Sequence, residues 1–243
     1  MRVWQWIIGG LTVLTLLGIC GLGSYFLVLD ERQGRNGRLS AEPAPTALTR
    51  DISSRRVDPE PLSAEEVFPD KEILVNAEEP PYQVLKTQAA TDCRTAAAGE
   101  LIDLIDELDC SQVVRATLRS PTRAYLVTAG IFNLGDATLA DRAHEQIKPI
   151  VDDRRGRFQG MLAGEGTDPV VLASAQVGWH VRGHFLVYCV IAKADGSQIR
   201  DDDPYARQIL FDMIEVHLRG TVLERRATVL VSPTPEAGPP AAS

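Results

Sequence analysis

The chain has little of what most enzymes and nucleic-acid-binding proteins display. It has four cysteines in 243 residues, and no two are spaced C-x-x-C. That excludes the zinc ribbons and thioredoxin-like motifs that need two sulfurs on a tight turn. Basic residues number 25 against 33 acidic ones, for a net charge of -8. No positive field therefore recruits nucleic acid through phosphate neutralisation, and nucleic acid is not expected as a partner. No serine stands in a G-x-S-x-G setting, and no glycines fall in G-x-G-x-x-G or Walker order. "MLAGEGTDP" (161–169) reads as a mobile loop rather than a phosphate cradle. No segment repeats with a fixed period. With no catalytic signature, the chain is expected not to be an enzyme and to need no cofactor.

What is present begins with an uncharged run from Val3 to Leu29. A bilayer core of about 30 Å needs roughly 20 helical residues, so residues 1–29 read as a transmembrane anchor. A cleavable signal has a shorter apolar centre of roughly 7–15 residues, and here "YFLVL" extends the run past Gly21 and Gly23. Ile19 before Cys20 does not suit a lipid-modified cysteine. Trp4, Trp6 and Tyr25 stand where amphipathic rings meet the two interfaces.

Residues 30–81 are rich in proline and polar residues with no sustained apolar period. They read as a disordered linker, because so little can be buried to offset ordering entropy. "EVFPDKEILV" (66–75) within it is a short extended stretch, with a strand or docking segment as the alternative. Residues 229–243 form a Pro/Ala tail, also expected to be disordered.

Between 82 and 228 the patterns become regular. "YQVLKT" suits a strand, and "TAAAGELIDLIDEL" (95–108) places Ala97, Leu101, Leu104, Ile105 and Leu108 on one helical face. "QVVRATLR" and "AYLVTAGIF" form a hairpin across "SPTR". Arg115, Thr117 and Arg119 alternate with apolar residues, so that face of the strand is expected to be wet. Asp136 caps a second helix, which Pro149 should end or kink. "VVLASAQVGW" and "HFLVYCVIAK" form a second hairpin across "HVRG", and Asp203–Pro204 starts a third amphipathic helix. The β-α-β-β-α-β order, with an added strand and a final helix, predicts an α+β fold. The plan is a ferredoxin-like sandwich, one antiparallel sheet with helices on a single face.

Cys93 and Cys110 bracket the first helix and are candidate disulfide partners in an oxidising compartment. A straight helix between them would hold their Cα atoms about 25 Å apart, whereas a bridge spans roughly 4.4–6.8 Å. The bond therefore needs a shorter helix with folded-back flanks. A bridge through Cys189, or none, stays open. His180 and His184 flank the second hairpin turn at a spacing that can serve a metal, but the ligand set is incomplete. No metal is expected there. The aspartates of "DGSQIRDDDP" (195–204) do not follow the calcium-loop spacing and read as a solvated loop and helix cap.

The stretches "DCRTAAAGELIDLIDELDCSQVVRATLRSPTRAYLVTAGIFNL", "AQVGWHVRGHFLVYCVIAKADG" and "DDPYARQILFDMIEVHL" resemble a group of uncharacterised actinobacterial single-pass membrane proteins. The likeness covers most of 82–220 and the anchor-plus-linker layout. It implies a membrane-attached protein with an extracytoplasmic domain, and no activity. "LVTAGIFNLGDATLADRAHEQI", together with the order of elements, is more weakly similar to SPOR domains, which are ferredoxin-like and bind peptidoglycan glycan strands. Counting Lys and Arg alone puts the residues after the span in the cytoplasm. The resemblance points the other way, to a cytoplasmic amino terminus and an exported body. The expectation is a cell-membrane protein whose extracytoplasmic domain (82–228) binds a cell-wall glycan, an envelope protein or a small ligand. The alternative is a structural component of an envelope complex.

Overall fold

The structure, a computed structural model, describes residues 46–172 and 175–231. The expected span at 1–29, the first part of the expected linker and the tail from 232 lie outside the described residues. In chain order the elements begin with β1 (Thr46–Thr49), α1 (Ala64–Val67), β2 (Glu72–Ile73) and β3 (Tyr82–Ala90). A 3-10 turn (Cys93–Ala96), β4 (Ala97–Gly99), α2 (Glu100–Glu107), β5 (Gln112–Arg119) and β6 (Tyr125–Asn133) follow. Next come α3 (Ala137–Asp152), β7 (Gly156–Phe158), a 3-10 turn (Asp168–Val171), β8 (Gln176–Arg182) and β9 (Phe185–Lys193). The described residues end with α4 (Pro204–Phe211), a π-helical continuation (Asp212–Leu223), α5 (Glu224–Ala227) and β10 (Thr228–Val231). The fold is α+β.

A six-stranded antiparallel sheet runs in the order β2-β3-β5-β6-β9-β8. Its middle strands explain its layers. Every residue of β6 is buried, and every residue of β9 except the last. Runs apolar on both sides need cover on both faces. On one face Leu101 and Ile105 of α2 and Ala143 and Ile147 of α3 meet Phe132 and Tyr188. On the other, Ile209, Met213 and Leu218 of the carboxyl-terminal helix meet Val127, Val187 and Cys189.

This corrects the ferredoxin-like expectation twice over. Helices lie on both faces, because the third amphipathic helix covers the side that a single-face plan would leave bare. The strands joined through α2, β3 and β5, are direct antiparallel neighbours, whereas a ferredoxin-like sheet keeps a strand between the two that its first helix joins; the connection through α3, from β6 to β8, does pass over a strand, β9. The order of elements on which the SPOR likeness rests does not produce that sheet.

On the face of β5 expected to be wet, Arg115 and Thr117 are buried and only Arg119, at the strand's end, is partly exposed. The Arg115 guanidinium donates to Gln88 Oε1 at 2.9 Å and to the Gln159 carbonyl at 3.3 Å. Thr117 Oγ1 donates to the Met161 carbonyl at 2.5 Å. The segment after β7 thus covers these polar side chains while satisfying them.

The expected linker is ordered where it is described, and the compact unit runs from Ala47 to Val229 rather than from 82. Ile52, Leu62, Val67, Phe68 and Ile73 each enter the core on the carboxyl-terminal helix side. Sparse apolar residues with no period escape a periodicity test, yet these five dock, while Val57 and Leu74 stay exposed. "EVFPDKEILV" is a docking segment: α1, capped by Ser63 Oγ accepting from Glu66 N–H at 2.9 Å, and then β2. Electrostatics fasten the same segment. Asp58 is 0% exposed, and the guanidinium of Arg226 grips it as a fork at 2.6 and 3.0 Å. Arg226 also reaches Glu66 at 2.8 Å and lies 5.5 Å above the Phe185 ring. Arg50 also pairs with Asp58, at the Oδ1 that Arg226 Nη2 shares.

Pro149 does not end α3, which continues to Asp152. The first helix is shorter than its sequence pattern suggests. Gly99, with φ +64, turns the chain against the Arg155 carbonyl, where a Cβ would collide. Residues 97–99 are therefore extended and pair with β7.

Candidate functional site

The Sγ atoms of Cys93 and Cys110 are bonded, with their Cα atoms 6.3 Å apart. Cys93 starts the 3-10 turn and Cys110 follows α2, so the short helix and both folded flanks close the loop. Cys189 is a buried free thiol on β9, and burial pushes its pKa up. His180 and His184 do not converge. The His180 ring packs against His144, with centroids 5.4 Å apart, and its Nδ1 accepts from Val181 N–H. His184 is buried in the β8–β9 turn, packs at a tilt against Phe185 and donates from Nδ1 to the Ile52 carbonyl at 2.8 Å. Burial holds its pKa below the ordinary range against the pull of that carbonyl.

Three of the four "DGSQIRDDDP" aspartates are spent locally. Asp195 accepts from Ser197, Asp202 pairs with Arg200, and Asp203 caps α4 through the N–H groups of Tyr205 and Ala206. Among the described residues no three His, Cys, Asp or Glu side chains gather as a metal site. No described helix is long and apolar enough to cross a membrane.

The arrangement best suited to a ligand is built around the start of the carboxyl-terminal helix. Asp203 and Pro204 fix where that helix begins, and this sets Tyr205 on its first turn with its side chain in solvent, 61% exposed. Two turns later, where α4 passes into the π-helical stretch, Asp212 turns inward and is only 4% exposed. Its Oδ2 accepts from the Tyr82 hydroxyl at 2.6 Å and its Oδ1 from Gln208 Nε2 at 2.7 Å. Burial, then the hydrogen bond to Asp212, drive the Tyr82 phenol far above its ordinary pKa. Tyr82 is thus a fixed donor, and Asp212 keeps unused lone pairs. Wide-turn helix segments are rare and frequently mark functional sites.

These groups form the floor of a groove of about 590 Å³, walled by Asn76, Pro80, Ser120 and Pro121, with Tyr205 on its lip. Thr122 and Tyr205 also line an adjoining groove of about 500 Å³ that contains Tyr125 and Lys193. There the Tyr125 hydroxyl donates to Asp203 at 2.8 Å. Burial opposes ionisation of Asp203. That hydrogen bond and those from the helix N–H groups outweigh it and hold the carboxyl below its usual range. Tyr125, whose desolvation and bond to Asp203 act together, is pushed up to about 12. The result is an exposed aromatic ring between two depressions, each with fixed polar groups.

Sequence reasoning marked Asp203 and Pro204 as a helix start but passed over Tyr205, Tyr82 and Asp212. Tyr82 and Asp212 lie 130 positions apart, and no local pattern joins them. The available signal was Tyr205 itself, an aromatic residue on the polar side of an amphipathic helix in a chain with 6% aromatics. No protein-family model, curated protein or solved structure matches this chain.

Proposed function

We propose that the chain is a single-span membrane protein with a cytoplasmic amino terminus. Its folded body is held outside the membrane and binds a hydroxyl-rich ligand, with a cell-wall glycan as the favoured class, in the groove beside Tyr205. The observation that carries this reading is the solvent-facing Tyr205 ring standing between two grooves with fixed hydroxyl, amide and carboxylate groups. A sugar ring presents C–H groups on its faces and hydroxyls around its edge. The first pack on an aromatic face and the second need oriented donors and acceptors, which is the usual composition of a ligand site. A ligand spanning both grooves suits a chain of sugars better than a single one. The groove that holds Asp212 is also lined by Glu79 and by no described lysine or arginine, which disfavours an anionic ligand and suits an uncharged stretch of glycan. Binding suits the site better than turnover, because both oxygens of its buried carboxylate already hold structural hydrogen bonds.

The test is fluorescence anisotropy of a labelled peptidoglycan oligosaccharide titrated with the full chain in detergent micelles. Tyr205→Ala should weaken binding by about tenfold or more, roughly 1.4 kcal/mol, with an unchanged far-ultraviolet circular dichroism spectrum. Saturable binding that ignores this substitution, or no saturable binding at all, overturns the reading.

A further inference from the structure

Away from the Tyr205 grooves, a cleft of about 450 Å³ opens between the end of α3, β7 and the start of β8. One wall carries Arg154, Arg155 and Arg157, and the facing side carries the amides of Gln176 and Gln198. The floor is apolar: Phe158, Val170 and Ile199 are all buried. Phe158 is held rigid by stacking on Tyr188, with centroids 4.9 Å apart and planes 13° from parallel.

The three arginines differ in what they already bind. Arg155 pairs with Glu100 and with Asp153. Arg154 and Arg157 enter no ion pair among the described residues. In a chain of net charge -8, two guanidinium groups without an acidic partner beside one cleft stand out. Asp201 lines the same cleft and forms no ion pair with either of them.

Arg154 also occupies an unusual backbone position. It has φ +58, directly after the capping residue of α3. That left-handed position normally falls to glycine or asparagine, because a larger side chain is strained there. A cation near a helix carboxyl end offsets part of the helix dipole, which gives Arg154 a structural use but leaves Arg157 without one.

We propose that this cleft is a second ligand site, independent of the Tyr205 groove, for a small organic phosphate. The phosphate lies between Arg154 and Arg157, whose planar forks match its oxygens. The organic portion lies over Phe158, Val170 and Ile199, and the free amide of Gln198 serves its polar edge. The cleft volume falls within the range of small-molecule sites, roughly 300–1,000 Å³. This size and the apolar floor select a compact molecule with a ring over a bare ion.

The experiment titrates the full chain in detergent micelles with phenyl phosphate, inorganic phosphate and phenol, using isothermal calorimetry. Phenyl phosphate should bind saturably and at least about tenfold more tightly than either fragment, since one extra engaged group is worth that much. In the Arg154→Gln/Arg157→Gln variant that affinity should fall by at least about tenfold. Arg56→Gln/Arg123→Gln, which removes the same charge elsewhere, should leave it unchanged, as should Tyr205→Ala. Thermal unfolding of each variant separates loss of the site from loss of the helix-end contact. Equal affinity in the Arg154/Arg157 variant, an equal loss in the control variant, phenol binding as tightly as phenyl phosphate, or no saturable binding of phenyl phosphate would each overturn the proposal.

Discussion

Asp58 sits in "DISSRRVDPEP", a stretch whose composition belongs to linkers, yet it is fully buried. Its charge is tolerated because Arg226, 168 positions later, supplies a two-pronged partner. Burial disfavours the charged guanidinium, but the hydrogen bonds it donates to Asp58 and Glu66 overcome this and raise the Arg226 pKa. A buried pair of this kind adds little net stability over an apolar substitute, whereas removing one partner strands a charge. Arg226→Leu should therefore cost about 3–5 kcal/mol in urea unfolding. A double substitution, Asp58→Leu/Arg226→Leu, should recover most of that loss. If the single and double variants unfold at the same urea concentration, the pair does not pin the segment. Nothing local in the sequence announces such a contact. Aspartate between valine and proline reads as a solvated turn until a distant arginine is known to face it.

At the scale of elements, the sequence was most legible where periods are long and strong. The helices at Asp136 and Asp203 begin at their caps, and the hairpin through "SPTR" pairs residue by residue from Gln112–Asn133 to Arg119–Leu126. Two misreadings have one cause, the weighing of local propensity without knowing what lies beside it. The three alanines before Gly99 favour a helix by propensity, but pairing with β7 holds two of them extended. The nine-residue runs of β6 and β9 lack the alternation of a half-wet strand. That lack, read strictly, indicates cover on both faces and argues against a single-face sandwich.

The shortened helix is also what lets Cys93 and Cys110 meet, since eight residues extend only about 12 Å. The bond closes a loop with a sequence separation of 17, for which loop-closure entropy gives about 3 kcal/mol. Cys93→Ser/Cys110→Ser, or reduction with dithiothreitol, should lower unfolding stability by about that amount. A reduced protein as stable as the oxidised one would show that the bridge does no constraining.

For the whole molecule, the proposed anchor makes the side of the membrane on which the body would lie the decisive quantity. The disulfide and the proposed glycan groove both presuppose export, since disulfides persist in oxidising compartments. Alkaline phosphatase fused after Ser243 should be active in intact cells, and a fluorescent protein fused at the same position should stay dark. The reverse pair of results would remove the glycan reading, whatever the chemistry of the groove. The sequence was least legible at this scale, because the basic residues after the apolar run, Arg32, Arg35 and Arg38, argue against the orientation that the resemblance implies.

The pairing of β1 with β10, continued by the Arg50 N–H donating to the Ala227 carbonyl at 2.8 Å, brings the start and the finish of the body to one pole. A short linker could weld those two ends together while the backbone is reopened at the glycines 164 and 166, where added side-chain atoms meet nothing. Circularly permuted versions of the body should therefore fold. The same closeness makes the body a cassette that can be inserted into a surface loop of another protein without prying its host apart.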